Sequence, residues 1–147
     1  MIYLASPYTH PDPAVREARF QAACRQAAEM LRCGIAVFSP IAHMHSIAAY
    51  GLPLDWSFWR EYDRAFLEMC SEVWVLTLDG WRESEGVQAE IALARELGKP
   101  VMLVEPDALN DRTPARAGAV GAPACARLRQ GTPTPEYRRW GPQAGKD

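Results

Sequence analysis

The stretch Val73-Trp74-Val75-Leu76-Thr77-Leu78-Asp79-Gly80-Trp81-Arg82-Glu83-Ser84-Glu85-Gly86-Val87-Gln88-Ala89-Glu90 decides the fold. It opens with a short apolar run that reads as a buried strand, Val73 to Leu78, and Asp79-Gly80 ends that strand with turn chemistry. Downstream, Val87, Ile91, Ala94 and Leu97 recur at helical spacing until Gly98 and Pro100 stop the helix. Ser84 is the natural N-cap. Its hydroxyl and the free backbone N–H groups after it would form a small anion site, and Gly86 would let a ligand approach the backbone closely. Glu90 falls about a turn and a half into this helix. The helix dipole there favours the ionised carboxylate, so Glu90 is expected to be negative at neutral pH and able to act as a nucleophile.

Working outward, Ile2 to Ala5 forms a first strand and Ser6-Pro7-Tyr8-Thr9-His10 leaves its carboxyl end. Asp12 and Pro13 open a helix whose buried stripe is Phe20, Ala23, Cys24, Ala27 and Leu31, closed by Gly34. Ile35 to Ser39 is a second strand, and Pro40 to Pro53 reads as short helix and loop. Asp55 caps a helix in which Trp59, Tyr62, Phe66 and Met69 share a face with Asp63 beside them. Val101 to Val104 is a fourth strand. Strands alternating with helices imply right-handed crossovers and a parallel sheet, a small doubly wound α/β fold of flavodoxin or Rossmann type with helices on both faces. Ligands bind such sheets beyond the carboxyl ends of the strands, near the switch in strand order. That edge carries the loops at Ser6–His10, Pro40–His45 and Asp79–Gly86.

A chain of 147 residues suits one α/β core. Residues 1–110 form the expected domain, with 9 Lys/Arg against 15 Asp/Glu; residues 111–147 carry 7 against 3 and read as a basic, flexible tail rich in Ala, Gly, Pro and Arg. An acidic body argues against a nucleic-acid polymer as partner and suits a small nucleotide better. No apolar run approaches a membrane span and no signal peptide precedes the first strand, so a cytoplasmic protein is expected. Cys24, Cys33, Cys70 and Cys125 lack Cys-x-x-Cys spacing and fit reduced, mostly buried thiols.

The order strand, Asp79-Gly80, Ser84-x-Gly86, Glu90, then Gly98-Lys99-Pro100-Val101 resembles the nucleoside 2-deoxyribosyltransferase family and its hydrolytic branch, the 2′-deoxynucleoside 5′-monophosphate N-glycosidases. The opening Ile2-Tyr3-Leu4-Ala5-Ser6-Pro7-Tyr8 is similar too. More narrowly, Tyr3 to Tyr8, Phe38-Ser39-Pro40-Ile41-Ala42-His43 and Asp79 to Ser84 look like the DUF1937 family, a bacterial and phage group within that superfamily. The resemblance covers residues 1–104. It implies an N-glycosidase acting on a (deoxy)nucleoside monophosphate or related small nucleotide, with Glu90 as nucleophile, Tyr3 holding it and Asp63 assisting at the base or sugar. Asp55 is a rival for the last role, and Tyr3 reads equally well as a buried strand aromatic with a satisfied hydroxyl. Transfer between nucleosides and a non-catalytic nucleotide sensor are the alternatives.

The hydrolases carry Ser-x-Gly where the transferases have an aspartate. That match assigns Ser84 and Gly86, with Ser6 and Asp79, to the phosphate and sugar. The hydrolases follow their first-loop serine, matched here by Ser6, with an arginine, and this chain departs by having Pro7 and Tyr8. Tyr8, Trp81 and Trp56 are candidates for a wall against the base, with plain packing the competing reading. His43 and His45 are placed at the base or phosphate rather than with Asp55 around a metal ion, since no third His or paired Cys lies near. Neither metal nor cofactor is expected. The resemblance also implies a homo-oligomer, a dimer or larger, for which Trp56, Phe58 and Trp59 are interface candidates.

Overall fold

In a computed structural model, the structure describes residues 1–106; the expected tail lies outside them. The described chain runs β1 (Ile2–Ala5), α1 (Pro13–Arg32), β2 (Val37–Phe38), α2 (Pro40–Ala48), α3 (Trp56–Met69), β3 (Glu72–Leu76), α4 (Glu85–Glu96) and β4 (Val101–Val104). The strands form one sheet in the order β2-β1-β3-β4, and all three pairings are parallel. After β2 the chain crosses to the opposite side of β1, so the switch in strand order falls between β1 and β3. This is the doubly wound architecture expected.

Alternation along the strands assigns the two faces. Tyr3 and Ala5 of β1 join Val73 and Val75 of β3 beneath α3 and α4, in a core with Leu67, Val87, Ile91 and Ala94. Ile2 and Leu4 join Trp74, Leu76 and Met30 of α1 on the other face. A single-residue shift in β1 would exchange the two sets. Tyr3 is therefore committed to the α3/α4 side, and it is fully buried there.

The three expected N-caps are formed. Asp12 accepts from the Ala14 N–H at 2.8 Å, Asp55 from Phe58 at 3.1 Å and Ser84 from Val87 at 3.4 Å. Gly34, closing α1, has φ +73°, a left-handed conformation that favours glycine.

Elsewhere the chain differs from expectation. The second strand is only Val37–Phe38, because Ser39 leaves the sheet to cap α2, accepting from Ala42 at 3.3 Å with Pro40 at the first helical position. Residues 40–48 are the short helix expected within Pro40 to Pro53. The third strand starts at Glu72 and stops at Leu76; Leu78 N–H turns back to the Leu76 carbonyl at 2.9 Å. Glu72 is buried at the sheet because its carboxylate accepts from the Trp74 indole N–H at 3.0 Å. Leu31, expected in the α1 stripe, is exposed, and neighbouring Met30 takes the core place. Met69 is likewise exposed, its place on α3 taken by Leu67. Cys24 and Cys70 are free, whereas Cys33, expected as a thiol, is disulfide-bonded.

Candidate active site

A cavity of 330 Å3 opens at the carboxyl edge of the sheet, over the switch between β1 and β3. Its lining comes from the loop after β1, from α2, from the segment leading into α3, and from the start of α4. Tyr3 stands beneath it. The Tyr3 hydroxyl donates to Glu90 Oε1 at 2.7 Å, a buried bond between residues far apart in the chain. Asp63, projecting from α3, is buried beside the same pair, and both carboxylates line the cavity. Strand pleat, one turn of α3 and one turn of α4 thus bring three separate sequence segments to a single point.

Burial dominates the electrostatics. The Glu90 carboxyl is raised to about 8, by desolvation first and by the nearby Asp63 charge second, with the Tyr3 hydrogen bond opposing both. Burial likewise carries Asp63 up to about 7, again opposed by the Tyr3 hydroxyl. Tyr3 itself is held well above the ordinary phenol range by burial and by the two carboxylates, so it is a donor here and not a base. The expectation of a Glu90 ionised by the helix dipole is corrected accordingly. The dipole's influence fades beyond the first turn, and removal from water outweighs it. Two buried carboxyls raised together behave as a pair that shares one proton near neutral pH. Both carboxyls face the same phenol: Glu90 Oε1 accepts its proton, the Asp63 carboxyl also feels the hydroxyl, and Asp63 Oδ1 has no hydrogen-bond partner.

Two further buried polar atoms without partners belong to cavity-lining residues, Ser6 Oγ and Trp56 Nε1. A buried polar group left unpaired costs about 1–3 kcal/mol, so a substrate that satisfies these atoms recovers that cost on binding. Trp56 also accounts for Gly86. A Cβ at Gly86 would stand 3.3 Å from Trp56 Cδ1, so the missing side chain admits the indole against α4. The expected close approach to the Gly86 backbone is thus made by a protein ring.

On the opposite wall the Tyr8 hydroxyl lies 2.9 Å from His45 Nδ1, and His45 Nε2 lies 3.2 Å from Glu17 Oε2. The imidazole is stacked on Phe20 at 4.0 Å and 11°. Burial raises the Tyr8 phenol; Arg16 opposes the shift and Glu17 adds to it, which keeps the hydroxyl protonated. Charge on the lining is one-sided. It carries Asp55, Asp63, Glu83, Glu85 and Glu90 and neither Lys nor Arg.

Of the residues selected from sequence, Glu90, Asp63, Ser84, Gly86, Ser6, Tyr8 and His45 line the cavity, and Tyr3 supports it from below. Asp79, Trp81 and His43 do not line it. Asp79 is exposed and its carbonyl accepts from Arg19 at 3.0 Å. Trp81 packs on the core, with Arg82 over its ring at 4.6 Å. His43 lies beside Tyr62, Phe38 and Phe66, because α2 is a helix and residues two apart point in widely different directions. Glu17 was not among the candidates; from sequence it is one more carboxylate on an exposed helix face. Asp55, the rival of Asp63, caps α3 and lines the cavity rim, exposed. Among the described residues, no three His, Cys, Asp or Glu side chains converge as they would around a metal ion.

Fold and site together define a doubly wound α/β protein with a buried carboxyl pair beneath its switch-point cavity. The DUF1937 family, a domain of unknown function, matches residues 1–106, and the chain belongs to that family. Among solved structures it is similar to a 2-deoxyribosyltransferase from the psychrotolerant bacterium Bacillus psychrosaccharolyticus, described as a biocatalyst for the synthesis of nucleosides. The two share 25% identity over 73% of each chain, with a TM-score of 0.53. No curated protein sequence matches this one.

Proposed function

We propose that this protein breaks the bond between base and sugar in a (deoxy)nucleoside or small nucleotide through a glycosyl ester on Glu90. The observation that carries the reading is the 2.7 Å Tyr3–Glu90 hydrogen bond at the floor of an open cavity. A Glu90 side chain in solvent would have favoured a binding module. The likeness to a 2-deoxyribosyltransferase supports glycosyl transfer as the class of chemistry.

In this mechanism ionised Glu90 attacks the anomeric carbon through an oxocarbenium-like transition state, and the electron pair of the breaking bond leaves with the base. Protonated Asp63 donates its proton to that base. Tyr3 keeps the attacking oxygen in line. Water then opens the ester, giving its proton to Asp63, which is now ionised, and the carboxyl pair returns to its starting state. A second base in place of water would make the reaction a transfer. A 2-deoxy sugar suits so small a set of groups, because it lacks the electron-withdrawing hydroxyl that makes the cation harder to form.

Ser84 and the N–H groups at the start of α4 are donors that a 5′-phosphate could use. Against them stand Asp55, Glu83 and Glu85 on a lining without Lys or Arg, which favours an uncharged 5′ end. The homo-oligomer implied by the resemblance belongs to the same reading; Phe58 is exposed on α3, whereas Trp56 and Trp59 line the cavity. The test is chromatography of free base after incubation with deoxy- and ribonucleosides and their monophosphates. Release from at least one compound supports the reading. No release from any, with binding intact by calorimetry, would return the protein to the sensor class.

A further inference from the structure

The Tyr8–His45–Glu17 chain takes no part in the steps above, yet two of its members face the substrate cavity. Its polarity can be read from its partners. Glu17 is a carboxylate and can only accept, so an imidazole that carries a single ring proton holds it on Nε2. Nδ1 is then a lone pair, and the 2.9 Å contact requires the Tyr8 hydroxyl to donate to it. Stacking on Phe20 holds the ring in place. The phenol has one proton and has spent it, so its oxygen offers the cavity an acceptor and no donor.

We propose that Tyr8, oriented by His45 and Glu17, is a specificity-determining residue that accepts a hydrogen bond from a free sugar hydroxyl of the substrate. An alcohol O–H satisfies this oxygen. A phosphate ester at the same position presents only acceptors at neutral pH and meets an unmatched lone pair next to a lining of carboxylates. The device therefore selects a nucleoside over its phosphate ester at the hydroxyl that Tyr8 reads. His45 and Glu17 are positioning residues. The inference rests on the proposed glycosyl chemistry and deepens it.

The test is a cycle of enzyme and substrate changes. Wild type and Tyr8→Phe are compared on a deoxynucleoside, on its analogues lacking the 3′- or the 5′-hydroxyl, and on its 5′-monophosphate. Wild type should lose about tenfold in kcat/KM when the hydroxyl read by Tyr8 is removed, and Tyr8→Phe should show no such loss for that analogue. The other hydroxyl should give additive effects. In His45→Leu the phenol is free to turn its proton inward, and discrimination between alcohol and phosphate should narrow. Additive effects for both hydroxyls would overturn the proposal, since a purely structural Tyr8 would behave so. Coupling confined to the monophosphate would overturn it too, by making Tyr8 a donor. If wild type turns over none of the panel, the glycosyl chemistry itself fails; the same cycle run on dissociation constants by calorimetry then still decides the role of Tyr8.

Discussion

At the scale of single residues, the carboxyl pair of Glu90 and Asp63 makes stability and activity depend on pH in different ways. Burial raises Glu90 from 4.5 to about 8, so between those limits the folded chain holds a proton that the unfolded chain releases. The raised value makes the contribution fully present below the unfolded pKa and lost as pH rises through the folded one. Wild type should therefore lose stability between about pH 5 and pH 8, with Asp63, raised to about 7, adding to the fall. Glu90→Gln keeps the shape and removes the ionisation. Denaturant unfolding should show it on the order of 2–4 kcal/mol more stable than wild type near pH 8.5, with little difference at pH 5. A parallel pH dependence in both proteins would mean that Glu90 does not titrate in the fold. Activity should instead follow a bell, since one member of the pair must be ionised and the other protonated. Replacing Asp63 with Asn should remove the alkaline limb and lower kcat by about 100-fold or more, read from the pH dependence of base release.

At the scale of elements, α4 carries the site and its first turn is the place to perturb it. Ser84→Ala removes the cap that holds the Val87 N–H and should cost about 1 kcal/mol in chemical denaturation. Gly86→Ala acts differently. Alanine favours the helix by about 0.5–1 kcal/mol, but its Cβ would meet Trp56 Cδ1 at 3.3 Å and push the indole. Stability should change by less than about 1 kcal/mol while KM rises several-fold, because Trp56 is a wall of the cavity. A raised KM in Ser84→Ala and none in Gly86→Ala would place the substrate on the cap and not against the indole.

The caps were legible from sequence because each is a local event: Asp12, Asp55 and Ser84 bond within three residues of themselves. Strand ends were less so. Ser39-Pro40 is a cap-and-first-turn signal, which the apolar run before it invited one to read as strand. The phase of α1 was misplaced by one residue at Leu31 because its apolar stripe is shallow, and burial of Gln26 gives no sign in the sequence. Topology placed the loops after β1 and β3 at the cavity but did not say which side chains line it: Ser6 and Tyr8 do, while Asp79 and Trp81 do not. Which of His43 and His45 faces the cavity depends on the phase of α2, and that phase is set by packing across the fold. Glu17 became part of the wall only through a contact across the fold.

At the scale of the whole molecule, a four-stranded sheet places the ends of β1 and β3 side by side, so a loop from each faces one cavity. The buried pair beneath it is costly to the fold, and carboxyls perturbed by burial in a cavity gather at functional sites. Among the described residues no helix is long and apolar enough to cross a membrane. Covalent attachment of the sugar to Glu90 is the central claim. It is tested most directly by intact-protein mass spectrometry of samples quenched during turnover of the substrate found in the base-release panel, followed by peptide mapping. The account predicts a mass increase of one sugar residue on the peptide that contains Glu90 in the wild type, and its absence in Glu90→Gln. Base release at full rate by folded Glu90→Gln, or a sugar adduct on another residue, would contradict it.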